Sequence, residues 1–98
     1  MSDAILLIDD DDNLRKVTEY NLSSAGYKMI SAGSGKEGVE IFLDAFPELV
    51  ITDVKLGDMN GLEVLEIIKE KSPDTPVIVI TAFGTIEMAV EAMRRGAC

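Results

Sequence analysis

Short hydrophobic runs alternate with segments of helical periodicity along the chain. Three of these runs are rich in Val, Ile and Leu, and each ends at an oxygen-bearing side chain. They are residues 4–8 before Asp9, residues 49–52 before Asp53, and residues 77–80 before Thr81. Runs of this length and composition are typical of strands buried on both faces of a sheet. A weaker alternation over residues 27–32 predicts a further strand.

Helices are predicted after each strand, from hydrophobic residues spaced three and four positions apart. Polar caps and helix-stopping residues mark their ends. The predicted N-terminal caps are Asp11 or Asp12 for the first helix, the pair Ser34 and Glu37 for the second, and the pair Asn60 and Glu63 for the third. The predicted stops are Gly26, Pro47 and Gly96, and the fourth helix is predicted from Ile86, Ala89, Val90 and Met93.

This alternation of strand and helix predicts an α/β fold with a parallel sheet. Right-handed crossovers place the helices on both faces of such a sheet. Because ligands bind at the carboxyl edge of the strands, we expect Asp9, Asp10, Asp53 and Thr81 to meet in one crevice. Carboxylates clustered beside a hydroxyl indicate a divalent metal ion and a phosphoryl group.

Composition narrows the possible functions. A chain of 98 residues is one small domain, here taken as 1–98, and 18 acidic against 9 basic residues give a net charge of −9. Such a surface repels nucleic acid. No hydrophobic stretch approaches the roughly 20 residues that span a bilayer, so we expect a cytoplasmic protein with no membrane contact. The chain has no His and one Cys, which excludes a histidine-based triad and an internal disulfide.

Asp53 is the candidate phosphoryl acceptor. A carboxylate can take a phosphoryl group from an activated donor to form an acyl phosphate, and Mg²⁺ neutralises the charge on the phosphoryl oxygens. We expect Asp10 and Asp53 to bind Mg²⁺ directly and Asp9 to bind it directly or through water. Thr81 is expected to donate its hydroxyl to a phosphoryl oxygen. For the acidic residues after Asp10, helix capping is the simpler role.

Together these motifs resemble the receiver domain of two-component response regulators, over essentially the whole chain. The matching segments are residues 8–11, 51–53, 59–62, 80–82 and 89–97. The resemblance implies a flavodoxin-like, doubly wound parallel sheet of order 2-1-3-4, with the fifth strand and helix missing after Cys98. Residues 81–86 and the helix after them are most similar to receivers of the nitrogen-regulation type, which implies a role in transcription regulation.

The resemblance also assigns roles to five residues. They are Asp53 as the phosphorylation site, Asp9 and Asp10 as the acidic pocket that holds Mg²⁺, Lys55 as a further metal ligand through its backbone carbonyl, and Thr81 as the switch hydroxyl. The implied partner is a sensor histidine kinase that donates from phosphohistidine in a phosphorelay. The domain is then not an enzyme, and any turnover at Asp53 is slow self-hydrolysis.

Two departures from the family pattern leave an alternative open. Gly57 stands where the family commonly has proline, and the chain stops at Cys98, before the lysine that contacts the phosphoryl group. The alternative is a phosphorylation-incompetent receiver fragment that acts only as a binding or oligomerisation module. An aspartyl-phosphate phosphatase is disfavoured, because Lys55 stands where such enzymes need a second Asp. We expect the exposed sheet edge and face to favour a homo-oligomer.

Overall fold

The computed structural model describes residues 3–80 of the chain. Its strands are β1 (Ile5–Ile8), β2 (Met29–Ala32), β3 (Leu49–Asp53) and β4 (Val77–Ile80). Its helices are α1 (Asp12–Ser24), α2 (Gly35–Ala45) and α3 (Gly61–Lys71). Thr81 and the predicted fourth helix lie outside the described residues. No helix within residues 3–80 is long and hydrophobic enough to cross a membrane.

The four strands form one parallel sheet in the order β2-β1-β3-β4. This confirms the predicted fold class and the order 2-1-3-4. The two central strands are β1 and β3, and their register places Ile8 opposite Thr52. Asp9 follows Ile8 and Asp53 follows Thr52 in the sequence. The register therefore places the two aspartates side by side at the carboxyl edge of the sheet.

The main hydrophobic core lies on one face of the sheet, between the strands and helices α2 and α3. Its largest fully buried side chains include Leu6, Ile8, Phe42, Leu65 and Ile68. Leu6 and Ile8 are two positions apart on β1 and so lie on the same face of the sheet. The other three come from the faces of α2 and α3 that pack against it. The two helices on this face therefore hold β1 and β3 in place beneath the site.

The opposite face carries a smaller core beside α1. It consists of Ile5, Leu7 and Ile51, with Leu22 of α1 packed against it. No residue of α1 is fully buried, and the side chain of Val17 is 56% exposed. Within the described residues, α1 thus contributes less burial than α2 or α3.

Helices α1 and α3 begin at residues that the sequence marks as caps. Asp11, one of the two predicted alternatives, caps α1 and accepts a hydrogen bond from the N–H of Leu14 at 3.0 Å. The predicted capping box of Asn60 and Glu63 is present at the start of α3. Gly26, the predicted stop of α1, adopts a φ of 102° that L residues rarely reach.

Helix α2 begins with only half of its predicted capping box. Ser34 accepts a hydrogen bond from the N–H of Glu37 at 3.1 Å, as expected. The Glu37 carboxylate accepts instead from the N–H of Gly33 at 3.2 Å, so it holds the preceding loop rather than the cap residue. The helix ends at Ala45. The next residue, Phe46, has a left-handed φ of 45° and precedes Pro47.

Candidate metal and phosphoryl site

Three carboxylates converge at the carboxyl edge of the sheet, as the sequence predicts. Asp9 and Asp10 follow β1, and Asp53 ends β3. One carboxylate oxygen from each lies within 4.8 Å of the other two. Because adjacent central strands supply them, the cluster depends directly on the sheet order.

Burial and crowding make this cluster electrostatically unfavourable without a cation. Asp9 is buried, Asp53 is half-buried and Asp10 is exposed. Burial raises the pKa of the Asp9 carboxyl, a hydrogen bond from the N–H of Asp11 at 2.9 Å opposes this, and repulsion from Asp53, Asp11 and Asp10 raises it further. A bound divalent cation would offset this repulsion, so the arrangement favours metal binding.

The residues fit Mg²⁺ in both chemistry and spacing. Mg²⁺ prefers oxygen ligands in an octahedron and retains several waters, so a few carboxylates suffice. Oxygens that share one Mg²⁺ lie about 3 to 4 Å apart. The three carboxylate oxygens, which lie within 4.8 Å of one another, are close to this range.

The loop between β3 and α3, residues 54–60, passes beside the cluster. The N–H of Lys55 donates to Asp53 Oδ1 at 3.2 Å, and Lys55 and Asn60 form an antiparallel bridge that closes the loop. The main chain of Lys55 therefore lies next to the Asp53 carboxylate. That its carbonyl binds a metal stays a prediction.

Arg15 of α1 holds the main chain on the other side of the site, a role that sequence reasoning missed. Its Nη1 donates to the backbone carbonyl of Asp9 at 2.8 Å, and its Nη2 pairs with Asp12 at 2.7 Å. The spacing of Asp12 and Arg15, three residues apart on one helix, was the available signal. The contact with a backbone carbonyl leaves no such signal in the sequence.

The sequence of this chain matches a known protein family over nearly its whole length. Residues 5–98 match the response regulator receiver domain. The chain belongs to this family. The regulatory protein AtoC of Escherichia coli (strain K12) is 34% identical over 93 residues, a match that covers 95% of this chain and 20% of AtoC. The receiver domain thus spans about a fifth of the length of that curated relative.

Solved structures agree with the family and with its nitrogen-regulation type. A response regulator receiver domain protein from Clostridium thermocellum superposes with a TM-score of 0.93 at 33% identity, covering 98% of this chain and 78% of that one. The beryllofluoride-activated receiver domain dimer of NtrC4 superposes with a TM-score of 0.90 at 31% identity, covering 98% and 79%. The predicted similarity to nitrogen-regulation receivers is confirmed.

Proposed function

We propose that this receiver domain accepts a phosphoryl group on Asp53 from a sensor histidine kinase, with Mg²⁺ held by Asp9, Asp10 and Asp53. The observation that carries the proposal is the convergence of these three carboxylates within 4.8 Å. Membership in the receiver family supports the same chemistry. The backbone carbonyl of Lys55 is the proposed additional ligand.

The transfer requires little from the protein beyond positioning and charge. A carboxylate oxygen of Asp53 attacks phosphorus, the phosphorus–nitrogen bond of the donor phosphohistidine breaks, and the departing imidazole keeps the electron pair and takes up a proton. When bound, Mg²⁺ supplies neutralisation of charge on the phosphoryl oxygens. The N–H of Lys55 holds Asp53 Oδ1 and so orients the nucleophile.

Readout of the acyl phosphate is assigned to the end of β4. Ile80 lies opposite Asp53 in the β3–β4 register, and its carbonyl accepts from the N–H of Val54 at 3.0 Å. Thr81 follows directly in the sequence, so its hydroxyl is the proposed switch group. Turnover is proposed to be slow self-hydrolysis, with the domain acting in cytoplasmic signal transduction and transcription regulation rather than as an enzyme.

Labelling with a small acyl phosphate tests the proposal. We expect one phosphoryl group per chain, mapped to Asp53 by mass spectrometry, and we expect a metal chelator to prevent it. Calorimetric titration with Mg²⁺ supplies the independent binding measurement. An unmodified chain that also lacks Mg²⁺ affinity would favour the alternative, a phosphorylation-incompetent module that only binds partners.

Self-association through the β4 side of the sheet is also proposed. Ile78 and Ile80 are 37% and 47% exposed, and β4 is the outer strand of the described sheet. The NtrC4 receiver, a relative of similar fold, is a dimer. Sedimentation velocity is expected to show a dimer or a higher oligomer at high micromolar concentration, and a well-folded monomer there would contradict it.

A further inference from the structure

The β3–α3 loop is hydrogen-bonded to the start of α2, a helix that is not adjacent to the loop in the sequence. The two carboxylate oxygens of Asp58 accept from the N–H groups of Gly35 and Lys36, each at 2.9 Å. These are the first two N–H groups of α2, which have no partner within the helix. The positive end of the helix dipole faces the carboxylate, and the two hydrogen bonds lower the pKa of Asp58.

The opposite side of the same loop faces the acidic cluster. A Cβ atom at Gly57 would lie 3.4 Å from a carboxylate oxygen of Asp10, which places the loop backbone against that side chain. Two residues earlier, the N–H of Lys55 donates to Asp53. The loop is therefore held between the start of α2 and the carboxylates of the site.

We propose that Asp58 is a positioning residue for the metal site, because it fixes the loop on α2 and thereby holds the backbone at Lys55 and Gly57 against Asp53 and Asp10. The inference rests on the Mg²⁺ site of the proposed function. Without the anchor, the loop must be ordered when the ion binds, and this loss of conformational freedom lowers the affinity.

A second cap on the same helix separates positioning from helix stability. The Ser34 hydroxyl accepts a hydrogen bond from the N–H of Glu37, which belongs to α2 and not to the β3–α3 loop. Removal of either side chain weakens the start of α2. Only removal of Asp58 also releases the loop, so Ser34→Ala is the matched structural control.

Mg²⁺ affinity measured by calorimetry tests the role of Asp58. We expect Asp58→Ala to weaken binding about 3- to 10-fold, which is less than the usual effect of groups that contact ligands directly. Asp58→Asn is expected to fall between wild type and Asp58→Ala, because the amide oxygen accepts one hydrogen bond. Ser34→Ala should bind Mg²⁺ as wild type does. Asp74→Asn, an exposed charge change before β4, should also leave the affinity unchanged.

Amide hydrogen exchange of the metal-free protein gives a second readout. Faster exchange at Gly35 and Lys36 in Asp58→Ala would confirm that the anchor exists in solution. Wild-type protein without Mg²⁺ affinity would overturn the proposed function and this inference with it. Wild-type binding that Asp58→Ala leaves unchanged would overturn the inference alone. Equal weakening by Ser34→Ala or Asp74→Asn would also overturn it, since helix stability or net charge would then explain the effect.

Discussion

Asp53→Asn is expected to abolish Mg²⁺-dependent phosphoryl labelling of this receiver domain. The amide that replaces the carboxylate lacks the nucleophilic oxygen, so the rate should fall on the order of 10³-fold or more. Mass spectrometry after incubation with a small acyl phosphate measures the loss. Asp74→Asn, which removes an exposed carboxylate before β4, should keep wild-type labelling. Undiminished labelling of Asp53→Asn would place the acceptor elsewhere.

The same variant tests how the Asp53 carboxylate affects the pKa of Asp9 in the metal-free protein. Repulsion from Asp53 is one cause of the raised pKa of Asp9, so Asp53→Asn should lower that pKa, as the NMR shift of the Asp9 carboxyl carbon would report. The folded state holds the Asp9 proton more tightly than the unfolded state. The free energy of unfolding of the domain therefore falls as the pH rises from 3.8, the ordinary pKa of an Asp carboxyl, through the raised pKa of Asp9. Asp53→Asn should reduce this fall and leave the metal-free domain more stable at neutral pH.

Gly61→Ala is expected to destabilise the fold by about 3 kcal/mol or more. A Cβ atom there would overlap the backbone carbonyl oxygen of Asp53 and lie 3.0 Å from Val54 Cα. These are backbone atoms that cannot rotate away, and the N–H of Gly61 also donates to the Val54 carbonyl at 2.7 Å. Urea unfolding measures the loss, and Mg²⁺ affinity should fall with it because Asp53 is displaced.

Gly57→Ala provides the matched control in the same loop. Its Cβ atom would meet the Asp10 carboxylate at 3.4 Å, an ordinary contact, so stability should change by no more than about 1 kcal/mol. Similar losses in both variants would contradict the argument. Such a result would mean that the loop tolerates no side chain at either position, whatever the local space.

The sequence allowed prediction of the strands and their shared edge because these depend on residue type. Val- and Ile-rich runs are confirmed as β1, β3 and β4, and parallel strands necessarily bring Asp9 and Asp53 to the same edge. The predicted strand over 27–32 is shorter in the structure and begins at Met29. The N–H of Tyr27 donates to the carbonyl of Leu22, so the first part of that segment belongs to the turn that ends α1.

Other parts of the site involve backbone partners and leave little trace in the sequence. Asp58 contacts two N–H groups of α2, and Arg15 contacts the carbonyl of Asp9. Any residue type offers these backbone atoms, so pairing rules based on side chains do not find them. Similarly, Glu37 has the spacing of a capping box, in which its carboxylate would accept from the N–H of Ser34. In the structure it accepts from the N–H of Gly33 instead, because of the local loop geometry.

The way in which Arg15 is held has a consequence for competition between cations. A guanidinium bound to the carboxylate oxygens of Asp9 would occupy the atoms that a divalent ion needs and would have to be displaced. Here Arg15 donates a hydrogen bond to the main-chain oxygen of Asp9 and forms its ion pair with the solvent-exposed Asp12. Arg15 thus stabilises the turn after β1 without pairing with the Asp9 carboxylate, so a divalent ion would not have to displace it.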